Sequence, residues 1–478
     1  MSIDWLSAPD YTIARFLLER GLAAIYLVAF VVALRQFRPL LGERGLLPAP
    51  RFLRLVPFRR SPSLFHLGYS DTALALVAWA GILGSAALVV GLPQSWPLPL
   101  TMLAWAGLWI LYQSIVNIGQ TFYAFGWESL LLEAGFLAIF LGNDQVAPPV
   151  VVLLLFRWLA FRVEFGAGLI KMRGDPCWRD LTCMDYHHQT QPLPNPLSWW
   201  FHRLPRRLHR LEVLGNHGAQ LVMPFGLLAP QPVASVAAGY LILTQLYLVI
   251  SGNYAWLNWV TIVILTAALA DPVVGALLPV EPAVLPGAPA WLHGAVIGLA
   301  MVVIYLSYWP VRNMLGRRQL MNYSFNPLHL VNTYGAFGSV TRERDEVVVE
   351  GTDDVRLTPE TNWRAYEFKA KPGDPRRRPP QVAPYHLRLD WLMWFLPLSP
   401  AYGEDWFVPF LGALLRNDAA VVALLGRNPF PDRPPAFVRA RLFRYRYTTW
   451  RERRRTGAWW HREHIGEFVR PVRLADLV

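Results

Sequence analysis

The chain has 478 residues, of which 54% are hydrophobic and only 16% charged, well short of the roughly 25% charged residues usual in a soluble domain. That deficit excludes an ordinary soluble enzyme and points to a membrane protein. The formal charge of +12 is carried almost entirely by arginine, since the only lysines are Lys171, Lys369 and Lys371. Such a bias is expected of a GC-rich genome.

Apolar stretches close to the ~20 residues needed to cross a bilayer recur at 13–34, 72–92, 98–118, 127–142, 149–168, 217–229, 233–250, 255–270 and 291–310. They predict an α-helical polytopic bundle over 1–318 with about nine spans and large loops at 35–71 and 171–216. The fourth and sixth stretches are the shortest. Arg15, Glu19 and Arg20 stand at the start of the first run and no small-residue cleavage site follows it, so it is expected to stay in the mature protein. In an alternating arrangement the basic residues fall on one side: Arg35 to Arg60, then Lys171 to Arg210, then Arg312, Arg317 and Arg318. The positive-inside rule then puts the C-terminal region in the cytoplasm. These arginines border spans, where orientation bias and anionic headgroups account for them, so a lipid bilayer and not nucleic acid is the expected partner.

After Arg318 the hydrophobic runs shorten and turn residues multiply, predicting a soluble β-rich α+β domain over 319–478. Alternation at 331–350, 364–371 and 438–449 reads as strands, and the spacing over 406–426 reads as helix.

Three groups of residues are chemically conspicuous. Arg157, Glu164 and Lys171 recur every seven positions and share one stripe of the fifth span. Glu164 and Lys171 are candidate acid and base groups of an intramembrane cavity; equally, the stripe reads as a structural ion pair with snorkelling ends. Gln120, Tyr123, Glu128 and Glu133 interrupt the apolar background of 117–135, either lining the same cavity or bonding helix to helix. The 172–205 loop holds Cys177, Cys183, Asp185, His187, His188 and His202. Its two cysteines are a candidate redox pair, reduced in a cytoplasmic loop and bridged in an extracytoplasmic one. No paired metal motif is present, so no metal and no cofactor are expected. The prolines and tryptophans of this loop predict an ordered element packed on the C-terminal domain.

The phrases FYAFGWESLLLEAGFLA (122–138), RVEFGAGLIKMRGDPCWRDLTCMDYHHQTQPLPNPLSWWFHRLP (162–205), GNYAWLNW (252–259), VNTYGAFGSV (331–340), YHLRLDWLMWF (385–395) and NPFPDRPP (428–435), with RYRYTTW and TGAWW beyond them, closely resemble the lipase maturation factor family. The resemblance implies a multi-pass membrane protein, a chaperone that in animals resides in the endoplasmic reticulum and assists folding and assembly of secreted lipases, its C-terminal domain contacting the client. A bacterial member would sit in the inner membrane. The family is similar in outline to the membrane region of vitamin K-dependent carboxylases, which leaves an enzyme acting on a lipid-soluble substrate as the alternative to a non-enzymatic maturation factor.

Overall fold

In the computed structural model, residues 4–277 and 281–477 are described. Helices α1 (Thr12–Leu41), α2 (Asp71–Val90), α3 (Leu98–Asn117), α4 (Gly126–Ala138) and α5 (Val150–Arg173) form the first half of a bundle. A loop with the short helix α6 (Met184–Thr190) leads to the amphipathic α7 (Arg206–His217), and α8 (Val233–Ser251), α9 (Leu257–Leu265) and α10 (Ala290–Leu315) complete it. Among the described residues five helices are long and apolar enough to cross a membrane, or six if the bent pair Leu257–Ala268 and Asp271–Leu277, broken by 112°, is one span. The expectation of about nine counted apolar letters alone. Of the other segments, α4 is only 13 residues long, α5 carries Arg157, Arg162, Glu164, Lys171 and Arg173, and 217–229 is broken by a π-helical turn, Gly218–Val222.

α5 is the interior helix, its charges taken out of lipid: Arg162 and Glu164 are buried, as are Arg157 and Lys171. An unpaired charge in hydrocarbon costs several kcal/mol at least, so each must find a partner within the protein. The backbone comes close here. A Cβ at Gly166 would fall 2.5 Å from the Tyr334 carbonyl, and one at Gly168 would fall 2.8 Å from that of Gln220, so only glycine lets the two flanking segments lie against the helix.

The C-terminal region carries an antiparallel sheet of order β2-β1-β3-β4, built from β1 (Arg344–Thr352), β2 (Arg364–Ala365), α11 (Arg388–Phe395), α12 (Phe407–Leu415), β3 (Phe437–Tyr447), α13 (Trp450–Thr456) and β4 (Trp460–Val472). Two sequence expectations are corrected. The strand expected at 331–350 begins only at Arg344, because Asn332 and Tyr334 turn inward to bond Glu133. The strand expected at 364–371 joins the sheet only through Arg364 and Ala365, with a separate bridge from Glu367 to Arg427. β4 was not legible, since as an outer strand with most of its residues in water it lacks alternation. The helix expected at 406–426 is α12 followed by the single turn Ala419–Val422.

Sheet and bundle share one core. A single cluster of buried apolar side chains runs from Leu18 and Phe30 of α1 through Leu130 and Leu159 to Trp391, Phe410 and Val438. At its centre the Arg388 guanidinium meets the Glu128 carboxylate at 2.8 Å, both side chains fully excluded from solvent. Tyr112 donates to the same carboxylate. Arg388 also donates to the Phe122 carbonyl at 2.7 Å and lies over the Tyr123 ring. Gln36 of α1 completes the junction, donating to the His386 carbonyl and accepting from the Arg388 amide. Removing one partner of a buried pair leaves a bare charge, at a cost of about 3–5 kcal/mol. Arg388→Met is therefore expected to lower the unfolding midpoint of the detergent-solubilised protein sharply and to loosen sheet and bundle together, read as loss of amide-exchange protection in both; a sheet that keeps its protection would contradict the shared core.

Candidate functional site

Along α5, Glu164 and Lys171 are joined through Gln220, which the π-helical turn carries into the bundle. Gln220 Nε2 approaches Glu164 Oε2 at 3.4 Å, and Gln220 Oε1 accepts from Lys171 Nζ at 2.8 Å. Gln245 of α8 donates to Glu164 Oε1 at 2.7 Å and in turn accepts from Asn258 of α9 at 2.7 Å. Lys171 also donates to Asn216 at 3.0 Å and sits 4.5 Å from the centre of the Trp178 ring. The carboxylate and the ammonium are thus connected by amides and not by direct contact, a chain of polar groups through the bundle interior that orients both without neutralising them face to face. π-turns of this kind recur at functional positions. Arg157 lies apart from this chain, donating to the Ala267 carbonyl at 3.1 Å and to the Tyr11 hydroxyl at 2.9 Å.

The second group goes to other partners. Glu133 pairs with Arg162 of α5 and accepts from the Asn332 side chain at 2.9 Å and from Tyr334 at 2.8 Å. Glu128 and Tyr123 belong to the Arg388 junction, and Gln120 donates to the Leu47 carbonyl at 3.0 Å. Arg162, Asn332 and Arg388 escaped the sequence reading. Only Arg162 left a signal, as a fourth charge on an apolar helix.

The 172–205 loop is fastened on three sides. Cys177 and Cys183 form a disulfide, with Cα atoms 4.8 Å apart, and Asp175 accepts from the Cys177 amide at 3.0 Å. Neither sulfur is then available as a nucleophile. Trp178, buried between Lys171 and the segment after the bundle, donates to the Phe337 carbonyl at 2.9 Å. Arg344 of β1, paired with Glu346 at 2.6 Å, reaches into the loop and donates to the carbonyls of Gln189 and Pro192, each at 3.0 Å, and of Gln191. Trp199 donates to the Thr448 carbonyl at 2.9 Å. Asn253 ties the same loop to the segment entering α11, donating to Pro194 and Pro380.

The histidines are distributed around this anchorage. His187 meets the Tyr254 hydroxyl at 3.1 Å. Burial, reinforced by neighbouring His188 and Lys171, pushes its pKa down to about 3. Burial likewise pushes His202 down to about 3, aided by Arg203. His188 meets Glu212 at 3.4 Å and His209 meets it at 2.7 Å. Burial lifts the Glu212 carboxyl, but its hydrogen bonds from the two histidines outweigh this and hold it at about 2. Asp185 stands outside the cluster, 3.6 Å from the exposed Arg206.

A helical membrane bundle with a buried polar chain, locked to a four-stranded sheet by a disulfide-closed loop, defines an integral multi-pass membrane protein with an attached ordered domain. Comparison with known proteins gives the family: residues 13–276 match the lipase maturation factor transmembrane domain and residues 330–470 the lipase maturation factor C-terminal domain. The chain is 44% identical to lipase maturation factor 1 of Bos taurus, covering 99% of this chain and 91% of that protein, and 42% identical to the Homo sapiens protein of that name over 99% and 90%. Lipase maturation factor 2 of Homo sapiens is 30% identical over 97% and 83%. The chain belongs to the lipase maturation factor family. No solved structure matches it.

Two outcomes are expected. Trp178→Ala removes a buried indole that spans Lys171 and Phe337 and should cost about 3–5 kcal/mol, seen as a lowered unfolding midpoint with faster proteolysis of the loop; an unchanged midpoint would refute the fastening. For pH the sign follows from the histidines. Unfolded His187 and His202 take up protons near pH ~6.5, whereas the folded ones resist until about 3, so stability present above the unfolded value is lost as pH falls through that window. The midpoint should drop between neutral pH and mildly acidic pH, and drop less in His187→Gln.

Proposed function

We propose that this protein is a membrane-embedded maturation factor that assists folding and assembly of secreted lipases or related clients, with the C-terminal sheet as the client-facing surface. The observation carrying this reading is that the similarity to lipase maturation factor 1 runs through 99% of the chain, taking in bundle, loop and sheet alike. The buried junctions fit the role. A sheet held to the bundle by Arg388, Arg344 and Asn253 is a fixed platform, and preorganised surfaces bind without first losing conformational freedom.

The same reading assigns the side of the membrane. Disulfides persist in oxidising compartments and are rare in the cytosol, and the Cys177–Cys183 bridge closes the near end of the loop whose far end bonds the sheet region through Trp199. Loop and sheet then face the extracytoplasmic side in a bacterial inner membrane, or the lumen in an endoplasmic reticulum. This opposes the orientation expected from the basic loops. The positive-inside bias is a statistical preference, and a covalent bond sensitive to the compartment is the more direct indicator.

Two measurements test these statements separately. In intact cells, a membrane-impermeant maleimide should label a cysteine introduced at the exposed Val355; labelling only after the membrane is opened would reverse the orientation. In a host deprived of the protein, lipase activity per unit of secreted lipase antigen should fall and recover on complementation; an unchanged ratio would remove the maturation role.

A further inference from the structure

His188, His209 and Glu212 have no part in the polar chain of α5 or in the ion pairs that hold the sheet. They come from two helices: His188 from α6 in the loop, His209 and Glu212 from one turn of α7. The i, i+3 spacing of the last two puts them on one face of that helix. One ring nitrogen of each histidine and a Glu212 carboxylate oxygen all lie within 4.8 Å of one another, with His188 Nε2 3.4 Å and His209 Nδ1 2.7 Å from the carboxylate. The two imidazoles are buried, with 1% and 3% of their side-chain surface exposed, and the carboxylate is 11% exposed. Tyr247 of α8 adds a fourth oxygen, its hydroxyl in contact with Glu212 Oε1.

We propose that these three side chains form a binding site for a divalent transition metal of the zinc class, with Tyr247 or a water completing the coordination. Two imidazoles and one carboxylate are a ligand set that zinc accepts, at distances of ~2.0–2.2 Å that place neighbouring ligand atoms roughly 3.3 Å apart. The 3.4 Å between His188 and Glu212 is already close to that spacing. His188 Nδ1 is buried without a protein partner, and its Nε2 makes only a 3.4 Å contact with Glu212, so hydrogen bonding alone leaves this ring under-used. Hard oxygen-seeking cations are disfavoured by the two nitrogens. Both cysteine sulfurs are in the disulfide, so no thiolate competes. The metal would clasp the loop to α7 and α8, adding a cross-link on the side of the loop opposite the sheet.

The test uses the full-length protein in detergent, purified without a histidine tag, stripped with dipicolinate and reloaded with Zn²⁺ or Co²⁺. The proposal expects about one zinc per chain to survive desalting, visible d–d absorption from the cobalt form, and a higher unfolding midpoint with metal than without. Glu212→Gln and His188→Asn should each weaken zinc binding by about tenfold or more and make the midpoint insensitive to added metal. A wild-type protein that retains no zinc and shows no cobalt absorption overturns the site, whether or not the variants fold. Folded variants that bind zinc as tightly as wild type overturn the ligand assignment.

Discussion

The Glu128–Arg388 ion pair is the constraint around which the molecule is arranged. Two fully buried charges can coexist in an apolar core only if each supplies the other and the remaining lone pairs and protons find partners. Glu128 is served by Arg388 and Tyr112, and Arg388 by the Phe122 carbonyl and the Tyr123 ring. Those groups belong to α3, the turn before α4, α4 itself and α11. Satisfying one pair of charges therefore fixes four parts of the chain relative to one another. Glu133 repeats the arrangement with Arg162, Asn332 and Tyr334, so the acidic residues of α4 both draw later segments onto the bundle.

The 172–205 loop performs the complementary task from outside. Its disulfide shortens the free chain after α5, and Trp178 closes over Lys171, the end of the buried polar chain. Its far end is bound by Arg344 and by Trp199 against the sheet. The Lys171 end of the polar chain and the sheet are thus joined by an ordered loop held through aromatic rings and backbone carbonyls.

Much of this was legible in the sequence, and what was not has a common cause. Long apolar helices such as α2 and α8 declare themselves by composition. The seven-residue spacing groups Arg157, Glu164 and Lys171 on α5, of which Glu164 and Lys171 reach Gln220 while Arg157 goes to Ala267 and Tyr11. The partners of those charges do not declare themselves, because Gln220, Asn332 and Arg388 are distant in sequence and ordinary in type. Asn332 and Tyr334 sit in a segment whose alternation mimics a strand, yet their side chains are spent on Glu133, and the ladder starts only at Arg344. β4 failed for the opposite reason: water on most of its surface removes the pattern that burial imposes. The disulfide spacing was visible, but the clustering of His188 with His209 and Glu212 depends on how α6 meets α7, which no local pattern encodes.

The shared core has a consequence for how the chain is made. Arg388 leaves the ribosome roughly 260 residues after Glu128, which at ~5–20 residues per second is a delay of tens of seconds. During that interval Glu133 already has Arg162 within reach, only 29 residues further on, while Glu128 waits for its partner until late in synthesis. The bundle is consequently incomplete until the last quarter of the polypeptide arrives, and a chain truncated before Arg388 exposes an orphan acid to the quality-control machinery of the membrane.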